Sequence, residues 1–485
     1  MSVAATVVGA AVLLARLKQK SEKRWRKTHR ILRKFARECA TPSSTLWHLA
    51  NDLASDMQAS LASSDNEIKL SMLVSYVAPL PTGDEQGLYY GVNLRGENCL
   101  IFRGRLGGRS EPIKDIIREE ISYPSDVMAG TSKELFDFVA LQLARFISTF
   151  SEGTEEETPT ARKKLGVTVS YPVHQLASSS DTPIKWKNLA FDDKVEQVGK
   201  DLVEEMNQAL EKHGVDLRVF ALVDSAIGDL AGGRYYNKET VAAISLGMGT
   251  TVAYVETAQA VPSINTGREV VSLRVINMEW GRFFPSHLPV TEFDASLDAA
   301  SSNPNSQIFE KLISGMYLGE IVRRVLLKMA KETALFGESV PPKLAIPYSL
   351  SSPDMAVMHQ DTSEDHEVVD EKLREIFGVT GTTSMVREVV AEVCDVVVER
   401  GARLAGASVV AIIKKLGRIA NKKSVVVVEG GLYEHYRIFR NYLNSSVWEM
   451  LGSDLSDNVM IEHSHGSSGA GTLFLAASQT QSADS

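Results

Sequence analysis

Apolar residues recur along this chain with two different spacings, and the two kinds of segment alternate. Residues 88–106 and 242–256 each contain two short β-rich runs around a glycine-bearing turn, which predicts a strand–turn–strand hairpin in each half. In other segments the apolar positions recur every three or four residues, which predicts helices. These helices are expected at residues 133–150, 193–213, 307–335 and 385–418. The alternation indicates an α/β protein.

The remaining segments predict one buried strand and several exposed stretches. Residues 424–431 (SVVVVEGG) form an unbroken apolar run ending in glycines, which is typical of a strand that is covered on both faces. Residues 151–161 and 352–366 are polar, acidic or rich in turn formers, so we expect surface loops there. The chain after Ser478 is small and polar, which predicts a frayed terminus.

The N-terminal segment differs sharply from the rest. Residues 3–17 are nearly all apolar, and a run of lysines and arginines follows up to Arg37. A helix that crosses a bilayer needs about 20 apolar residues, so this short one would rely on snorkelling of the flanking bases. Charge that follows the apolar run is unlike a secretory signal, and it favours a cytosolic body. We expect a membrane anchor over residues 1–37; the alternatives are a loose basic tail and an uncleaved transit-like peptide.

Composition changes this picture little. A length of 485 residues suggests two domains after the N-terminal segment, and a net charge of −9 argues against general nucleic-acid binding. Cys39, Cys99 and Cys394 are far apart and form no CxxC, a pattern typical of intracellular proteins without disulfides. No Walker A pattern, HExxH motif or zinc-type Cys/His spacing is present, so we expect no resident structural metal.

Several longer motifs carry a family resemblance. They are SYPV (170–173), IKW (184–186), ALVDSAIGDLAGGRY (221–235), NMEWGRFF (277–284), the run at 303–330, and EGGLYEHY (429–436). Together they resemble the hexokinase family, and the resemblance extends from about residue 70 to about residue 478. The residues are most similar to those of plant hexokinases and their hexokinase-like relatives. The resemblance implies a two-lobed actin-like ATPase fold with ribonuclease H-like lobes.

On this basis the chain is expected to divide into four parts. They are the anchor and basic segment at 1–37, a helical segment at 38–70, a small lobe at 71–223 completed by 470–485, and a large lobe at 224–469.

The 221–235 loop lacks the family's general base. Hexokinases carry Asn-Asp-Thr where this chain has Asp224-Ser225-Ala226, and the family's Asp takes the proton from the attacking sugar hydroxyl. A serine hydroxyl has no useful basicity near neutral pH, and general-base catalysis contributes about 10²–10⁴-fold in rate. Ser225 therefore predicts crippled turnover. Asp224 is the alternative base, displaced by one residue, and Asp229 is a poorer candidate because it would repel phosphate.

The first phosphate turn also departs from the family's Asp-Leu-Gly-Gly-Thr-Asn. Here Asn93 replaces the Asp that holds magnesium through water, Arg95 replaces a glycine, and Glu97 replaces a hydroxyl donor, while Gly96 and Asn98 are retained. Arg95 could supply a positive charge to phosphate. The alternative, which we favour, is that Arg95 and Glu97 pair with each other on one strand face.

The other nucleotide motifs are better preserved. The resemblance assigns nucleotide and phosphate contacts, besides the first turn, to Gly247, Gly249, Thr250, Gly430, Gly431, Ser468 and Gly469. Met248 replaces a hydroxyl in the second turn, Gly466 stands in place of an Asp, and Glu429 replaces another Asp. The combined changes predict that ATP and Mg²⁺ bind weakly, if they bind at all.

The sugar site is partly retained. The resemblance assigns sugar contacts to Ser170, Asp224, Glu279, Gln307 and Glu310. Against this, Lys187-Asn188 replaces the family's Thr-Lys, and Thr251 replaces an Asn. Glu279 and Glu310 could instead be buried framework groups.

Two functions follow as expectations. The first is a hexokinase-like protein, impaired or inactive in catalysis, that acts as a hexose-binding sensor, regulator or scaffold with protein partners at the outer mitochondrial membrane, facing the cytosol. The second is a slow ATP-dependent hexose 6-phosphotransferase that uses Asp224. A purely structural protein, and a plastid or other membrane, remain open alternatives.

Overall fold

The structure is a computed structural model that describes residues 2–62, 70–75, 80–150, 163–170, 195–260, 273–464 and 469–478, with side chains in the first helix from Gln19 onward. Several predicted features lie outside these residues. They are the loop at 151–161, the sugar-segment residues 171–173 and 184–188, the turn residues 465–468, and the tail after Ser478.

The described residues contain eleven strands. They are β1 (Ser71–Val74), β2 (Gln86–Leu94), β3 (Asn98–Gly107), β4 (Lys114–Ser122), β5 (Lys163–Val169), β6 (Leu217–Asp224), β7 (Thr240–Leu246), β8 (Thr250–Thr257), β9 (Leu273–Glu279), β10 (Ser424–Glu429) and β11 (Val459–His463).

The helices of the same part of the chain connect and cover these strands. They are α1 (Ser2–Cys39), α2 (Ser43–Ala62), α3 (Ser125–Met128), α4 (Ser132–Phe150), α5 (Val195–Lys212), α6 (Ser225–Tyr236), α7 (Glu292–Ala300), α8 (Ile308–Ile313), α9 (Gly315–Thr333), α10 (Ser352–His359), α11 (Glu367–Phe377), α12 (Ser384–Lys415), α13 (Gly431–Glu434), α14 (Arg437–Ser456) and α15 (Gly471–Ser478).

The strands form two sheets with the same internal order. One sheet runs β4-β3-β2-β5-β6, and the other runs β9-β8-β7-β10-β11 with β1 added at its edge. In each sheet three antiparallel strands are followed by two parallel ones. The α/β fold with duplicated lobes is therefore confirmed. The domain boundaries stay a prediction, although Ser71–Val74 pair with β9 in the six-stranded sheet rather than with the small lobe.

Two helices join the lobes. α6 and α15 share a buried cluster with side chains from both sheets, including Phe102 of β3 and Val255 of β8. The helices touch where Gly228 faces Gly471, since a Cβ on Gly471 would lie 2.6 Å from the carbonyl carbon of Gly228. The outer face of the small sheet is covered by α4 and α5, and the large lobe is built around α9, α12 and α14.

Most of the predicted elements are confirmed. Both hairpins are present as β2–β3 and β7–β8, and the helices at 133–150, 193–213 and 385–418 correspond to α4, α5 and α12. The single helix expected at 307–335 is divided by Ser314, whose backbone is extended (φ −89°, ψ 151°).

The predicted loop at 352–366 is wrong over its first half, which forms α10. Ser351 accepts a hydrogen bond from the Asp354 amide, and a proline stands in the first turn, so both N-terminal helix signals are present. Met355 and Met358 are buried and hold the helix against the core. The acidic and turn-forming residues concealed this short amphipathic pattern.

The N-terminal helix is docked on the large lobe. Leu32, Phe35 and Cys39 of α1 are buried in the main core. Among the described residues, no helix combines the length and apolar character needed to cross a bilayer. The membrane anchor therefore stays a prediction.

Candidate functional site

The carboxyl ends of strands from both sheets lie close together, since the carboxyl of Asp224 in one sheet is within electrostatic reach of Glu279 and Glu429 in the other. Val169 at the end of β5 pairs with Asp224 at the end of β6, so Ser170, which follows β5, lies beside the end of β6. In the other sheet Glu429 pairs with Ser245. Ligands of open α/β sheets bind at the carboxyl edge of the strands. Ser170 and Asp224 thus lie at the expected edge.

Asp224 is the last residue of β6 and caps α6. Its Oδ1 accepts hydrogen bonds from the Ala226 amide (2.9 Å) and from Thr251 Oγ1 (3.1 Å). Burial raises the pKa of Asp224 from 3.8 to about 7; these two hydrogen bonds oppose the rise, and the nearby Glu429 and Glu279 carboxylates add to it. Asp224 is therefore both a structural cap and a carboxyl that titrates near neutral pH.

Ser225 is the first residue of α6 and is half-buried. One turn further on, Asp229 is buried and accepts a hydrogen bond from Ser464 Oγ (2.7 Å). Burial and the Glu429 carboxylate raise the pKa of Asp229 well above its usual value. The first position of α6 therefore carries the hydroxyl of Ser225. The two nearby carboxyls with raised pKa values, those of Asp224 and Asp229, lie at other positions of the chain.

A line of polar contacts connects Asp224 in one sheet with Glu429 in the other. Thr251 donates to Asp224 and stands opposite Ser245 in the β7–β8 hairpin, and Ser245 Oγ donates to Glu429 (2.9 Å). Burial raises the pKa of Glu429, and the Glu434 carboxylate adds to the rise. Replacement of the family's Asn by Thr251 therefore removes an amide but leaves a donor that holds Asp224.

The first phosphate turn is tied to the edge of its own sheet. Arg95 NH1 lies 3.8 Å from Glu120 Oε1 on β4, and the Asn98 amide donates to the same oxygen (2.8 Å). The Arg95 amide donates to the Asn98 carbonyl (2.9 Å), which closes the turn. The expectation that Arg95 and Glu97 share a strand face is wrong, because both lie in this turn.

Asn93 stands at the base of that turn and is buried. Its side-chain oxygen accepts a hydrogen bond from Ser170 Oγ (2.9 Å). Gly469, with φ +96°, lies against it, since a Cβ on Gly469 would be 3.5 Å from the Asn93 Cβ. Asn93 of the first phosphate turn thus contacts the predicted sugar residue Ser170 and the predicted adenosine-side residue Gly469. Ser468 lies outside the described residues.

The second phosphate turn rests on the start of α9. The Gly247 amide donates to the Gly249 carbonyl (3.1 Å), and the Gly315 amide donates to the Gly247 carbonyl (2.8 Å). The break at Ser314 explains this contact, because it presents a new helix N-terminus to the turn. Thr250 is buried and accepts a hydrogen bond from Trp280 Nε1 (2.9 Å), so its hydroxyl already has a partner.

Gly430 and Gly431 connect β10 to α13. Gly430 has φ +100°, and a Cβ there would lie 2.5 Å from the Leu246 carbonyl carbon. Only glycine tolerates both the conformation and the approach. The two glycines therefore hold the end of β10 against the second phosphate turn.

The remaining sugar residues cluster around Gly281. A Cβ on that glycine would lie 3.0 Å from Glu310 Oε2 and 3.7 Å from the Gln307 Cβ. Gln307 has a left-handed backbone (φ 54°) and accepts a hydrogen bond from the Asn303 amide (3.0 Å). Glu279 Oε2 lies 3.5 Å from Arg282 Nε. Three of the five predicted sugar residues are thus neighbours, close to the second phosphate turn.

Sequence reasoning missed four partners in this site. They are Glu120, Ser245, Ser464 and Trp280, the last in its hydrogen bond to Thr250. Ser245 had a weak signal, since it immediately precedes the second glycine turn. Glu120 had none, because its position depends on the register between β3 and β4.

The arrangement suits a magnesium-ordered nucleotide poorly. Arg95 is paired with Glu120, Asn93 provides no anion for a metal, and the Asp229 and Glu429 carboxyls would repel phosphate when ionised. In the part of the chain that the structure describes, no cluster of three or more His, Cys, Asp and Glu side chains is arranged to hold a metal ion.

Comparison with known proteins identifies the family. Sequence profiles of the hexokinase family match residues 31–235 and 241–478. The chain is 46% identical to Hexokinase-1 of Spinacia oleracea over 483 residues (98% of this chain, 96% of the relative) and, with the same coverage, 46% identical to Hexokinase-1 of Arabidopsis thaliana.

A solved structure agrees with this assignment. The hexokinase of Schistosoma mansoni complexed with glucose superimposes with a TM-score of 0.75 at 25% identity, over 93% of this chain and 99% of that one. Since the profiles cover most of the chain and the plant relatives match almost all of it, this protein belongs to the hexokinase family.

Proposed function

We propose that this protein is a catalytically impaired member of the hexokinase family that binds hexose and acts as a sensor, regulator or scaffold. The observation that carries the proposal is the start of α6. Ser225 occupies the position of the family's base, and the neighbouring Asp224 spends one carboxylate oxygen on the helix cap and Thr251. Loss of the base costs about 10²–10⁴-fold in rate.

Hexose binding is supported by the polar residues around Gly281. Glu279, Gln307 and Glu310 supply carboxylate and amide groups of the kind that hydrogen-bond sugar hydroxyls. The Schistosoma mansoni relative was solved with glucose. Glucose is therefore the hexose to test first.

The attachment site belongs to the same proposal. The apolar residues 3–17 and the basic residues that follow support attachment to a membrane through residues 1–37, with the body in the cytosol. The resemblance to membrane-anchored plant hexokinases leads us to propose the outer mitochondrial membrane. A tagged full-length chain that fractionates with plastids, or with no membrane, would contradict this location.

A second function is favoured by one observation. The pKa of Asp224 is raised by burial to about 7, and a general base works best when its pKa lies near the operating pH. The protein would then be a slow ATP-dependent hexose 6-phosphotransferase, with Asp224 as a displaced base.

Phosphorylation and binding assays on the full chain separate these functions. The wild type, Ser225→Asp and Asp224→Asn are compared in ATP-dependent glucose phosphorylation, and glucose binding is measured by calorimetry. The proposal expects glucose binding and no turnover by the wild type. Turnover that Asp224→Asn abolishes would establish the second function. Binding of neither glucose nor ATP would indicate a purely structural protein.

The Ser225→Asp variant adds a separate reading. If it gains turnover, the missing base is the principal defect. If it stays inactive while it still binds glucose, the first phosphate turn, in which Arg95 lies 3.8 Å from Glu120, is an independent defect.

A further inference from the structure

The basic part of α1 has one face that packs against the body of the protein. Thr28, Leu32, Phe35 and Cys39 are buried there, at spacings of three and four residues. Since this spacing follows the helical repeat, these side chains share one stripe of the helix. Residues 19–39 are therefore a docked helix and not a free tail.

A second set of cations lies beside acidic residues of that body. Their partners are acidic residues at the end of α9, after α9, and at the start of α7. These ion pairs join Lys20 (3.3 Å) and Arg24 (2.6 Å) to Glu338, Lys27 to Glu332 (3.1 Å), and Lys34 to Glu292 (3.0 Å).

The remaining cations form a third face, here called the cationic stripe. It consists of the exposed residues Lys23, Arg26, Arg30, Arg33 and Arg37. Their spacing of three, four, three and four residues places them within an arc of about 80° at 100° per residue. The centre of this arc lies on the opposite side of α1 from the buried stripe. The cationic stripe therefore faces away from the body.

Few acidic groups offset this charge. Between residues 19 and 39 the acids are Glu22 and Glu38. Glu22 lies 3.4 Å from Arg26 in an exposed contact, and Glu38 lies 3.5 Å from Lys34 outside the stripe. Exposed pairs of this kind contribute little, and they leave a surface of strong positive potential on a chain whose net charge is −9.

We propose that the cationic stripe binds a surface of anionic phospholipid, with α1 lying along the membrane and the body on its far side. The inference rests on the proposed membrane attachment and adds the lipid chemistry and the orientation. Anionic headgroups complement the five cations, and the stripe continues directly into the apolar residues 3–17 of the same helix. That apolar run is about 22 Å long, shorter than a hydrocarbon core of about 30 Å, which favours a helix along the surface.

Vesicle flotation of the full chain tests the lipid chemistry. Vesicles of phosphatidylcholine alone are compared with equal mixtures of phosphatidylcholine and phosphatidylserine, for the wild type and for a variant with glutamine at all five stripe positions. Each basic residue near an anionic surface contributes about fivefold in partitioning. We expect the variant to lose at least about 100-fold on the anionic vesicles and to be unchanged on phosphatidylcholine.

A matched control removes the same charge elsewhere. It carries glutamine at five exposed lysines outside α1, namely Lys133, Lys238, Lys343, Lys422 and Lys423. We expect this control to bind the anionic vesicles within about fivefold of the wild type, since these positions are scattered over the body.

Two double variants test the orientation. The stripe is about 21 Å long, roughly two to three Debye lengths at physiological salt. With α1 along the membrane, Lys23→Gln/Arg26→Gln and Arg33→Gln/Arg37→Gln weaken binding equally. If α1 stood upright, only the first pair would matter, and the proposed orientation would be wrong.

The remaining outcomes separate this inference from the membrane attachment itself. Equal binding of the wild type and the stripe variant to both kinds of vesicle would overturn the inference and leave an apolar anchor. Binding to neither kind would overturn both and point to a protein partner with an acidic surface.

Discussion

Replacement of Asp224 by asparagine is expected to stabilise the protein in a pH-dependent way. An asparagine oxygen can still accept hydrogen bonds from the Ala226 amide and from Thr251, so the cap of α6 is kept. What is lost is a carboxyl whose pKa is raised by burial from 3.8 to about 7. The variant therefore isolates the cost of ionising this one group in the folded protein.

The direction of the stability change follows from the raised pKa of Asp224. Below about pH 4 the carboxyl is protonated in the folded and the unfolded chain, so the wild type and Asp224→Asn differ little. Between about pH 4 and 7 the unfolded chain loses the proton first, and wild-type stability falls; above about pH 7 the loss is complete. A pKa difference of about 3 corresponds to about 4 kcal/mol, an upper limit for the gain at pH 8.

Urea unfolding at about pH 4.5 and about pH 8, followed by circular dichroism, measures this gain. The control is Asp216→Asn, which removes an exposed carboxyl and is measured at the same two pH values. Asp224 also raises the pKa of Asp229, so relief of that second carboxyl adds to the gain. A difference between the two pH values of less than about 0.5 kcal/mol for Asp224→Asn would refute the reasoning.

Three further predictions concern the framework of the site and the core. Gly430→Ala should lower the free energy of unfolding by about 1–3 kcal/mol, measured by thermal unfolding, because φ is +100° and neighbouring backbone atoms leave no room for a Cβ. Gly417→Ala, at φ +65° in open space, is the control and should lower it less. Equal losses in the two variants would contradict this prediction. Arg400→Met leaves the buried Asp294 carboxylate without its ion-pair partner and should lower the free energy of unfolding by about 3–5 kcal/mol. The double variant Arg400→Met/Asp294→Asn should regain much of this stability. The thiols should react with an alkylating reagent at pH 8 only after unfolding, because burial raises every thiol pKa, and rapid labelling of the folded chain would oppose this. They are Cys39 (pKa about 12), Cys99 (pKa about 12) and Cys394.

The periodic elements and the family motifs were predictable, since each depends on the pattern of residues within one short segment of the sequence. The two hairpins and the long helix α12 show periodicity over many residues, so tertiary context had little to override. The break at Ser314 was not predictable, because it is stabilised by a hydrogen bond from Gly315 to the distant Gly247. The loop expected at 352–366 failed because capping by Ser351 outweighed the polar composition.

At the site, residue types were predictable and partners were not. The sequence shows that Arg95 replaces a glycine of the family's phosphate turn. Its contact with Glu120 depends on the register of β3 against β4, which places Leu100 opposite Glu120. The cap formed by Asp224 likewise requires β6 to end where α6 begins. Both facts are properties of the assembled sheet rather than of any window of sequence.

The helix α15 has a consequence for synthesis on the ribosome. α15 lies directly on β2 and β5, where Cβ atoms on Gly91 and Gly166 would collide with Thr472. The small sheet ends with β6, yet this cover emerges about 250 residues later, some 10–50 s at usual rates of elongation. During that interval an apolar sheet face is exposed and needs protection by chaperones. A premature stop codon before Gly471 would leave this sheet face uncovered permanently, and such truncated chains should aggregate.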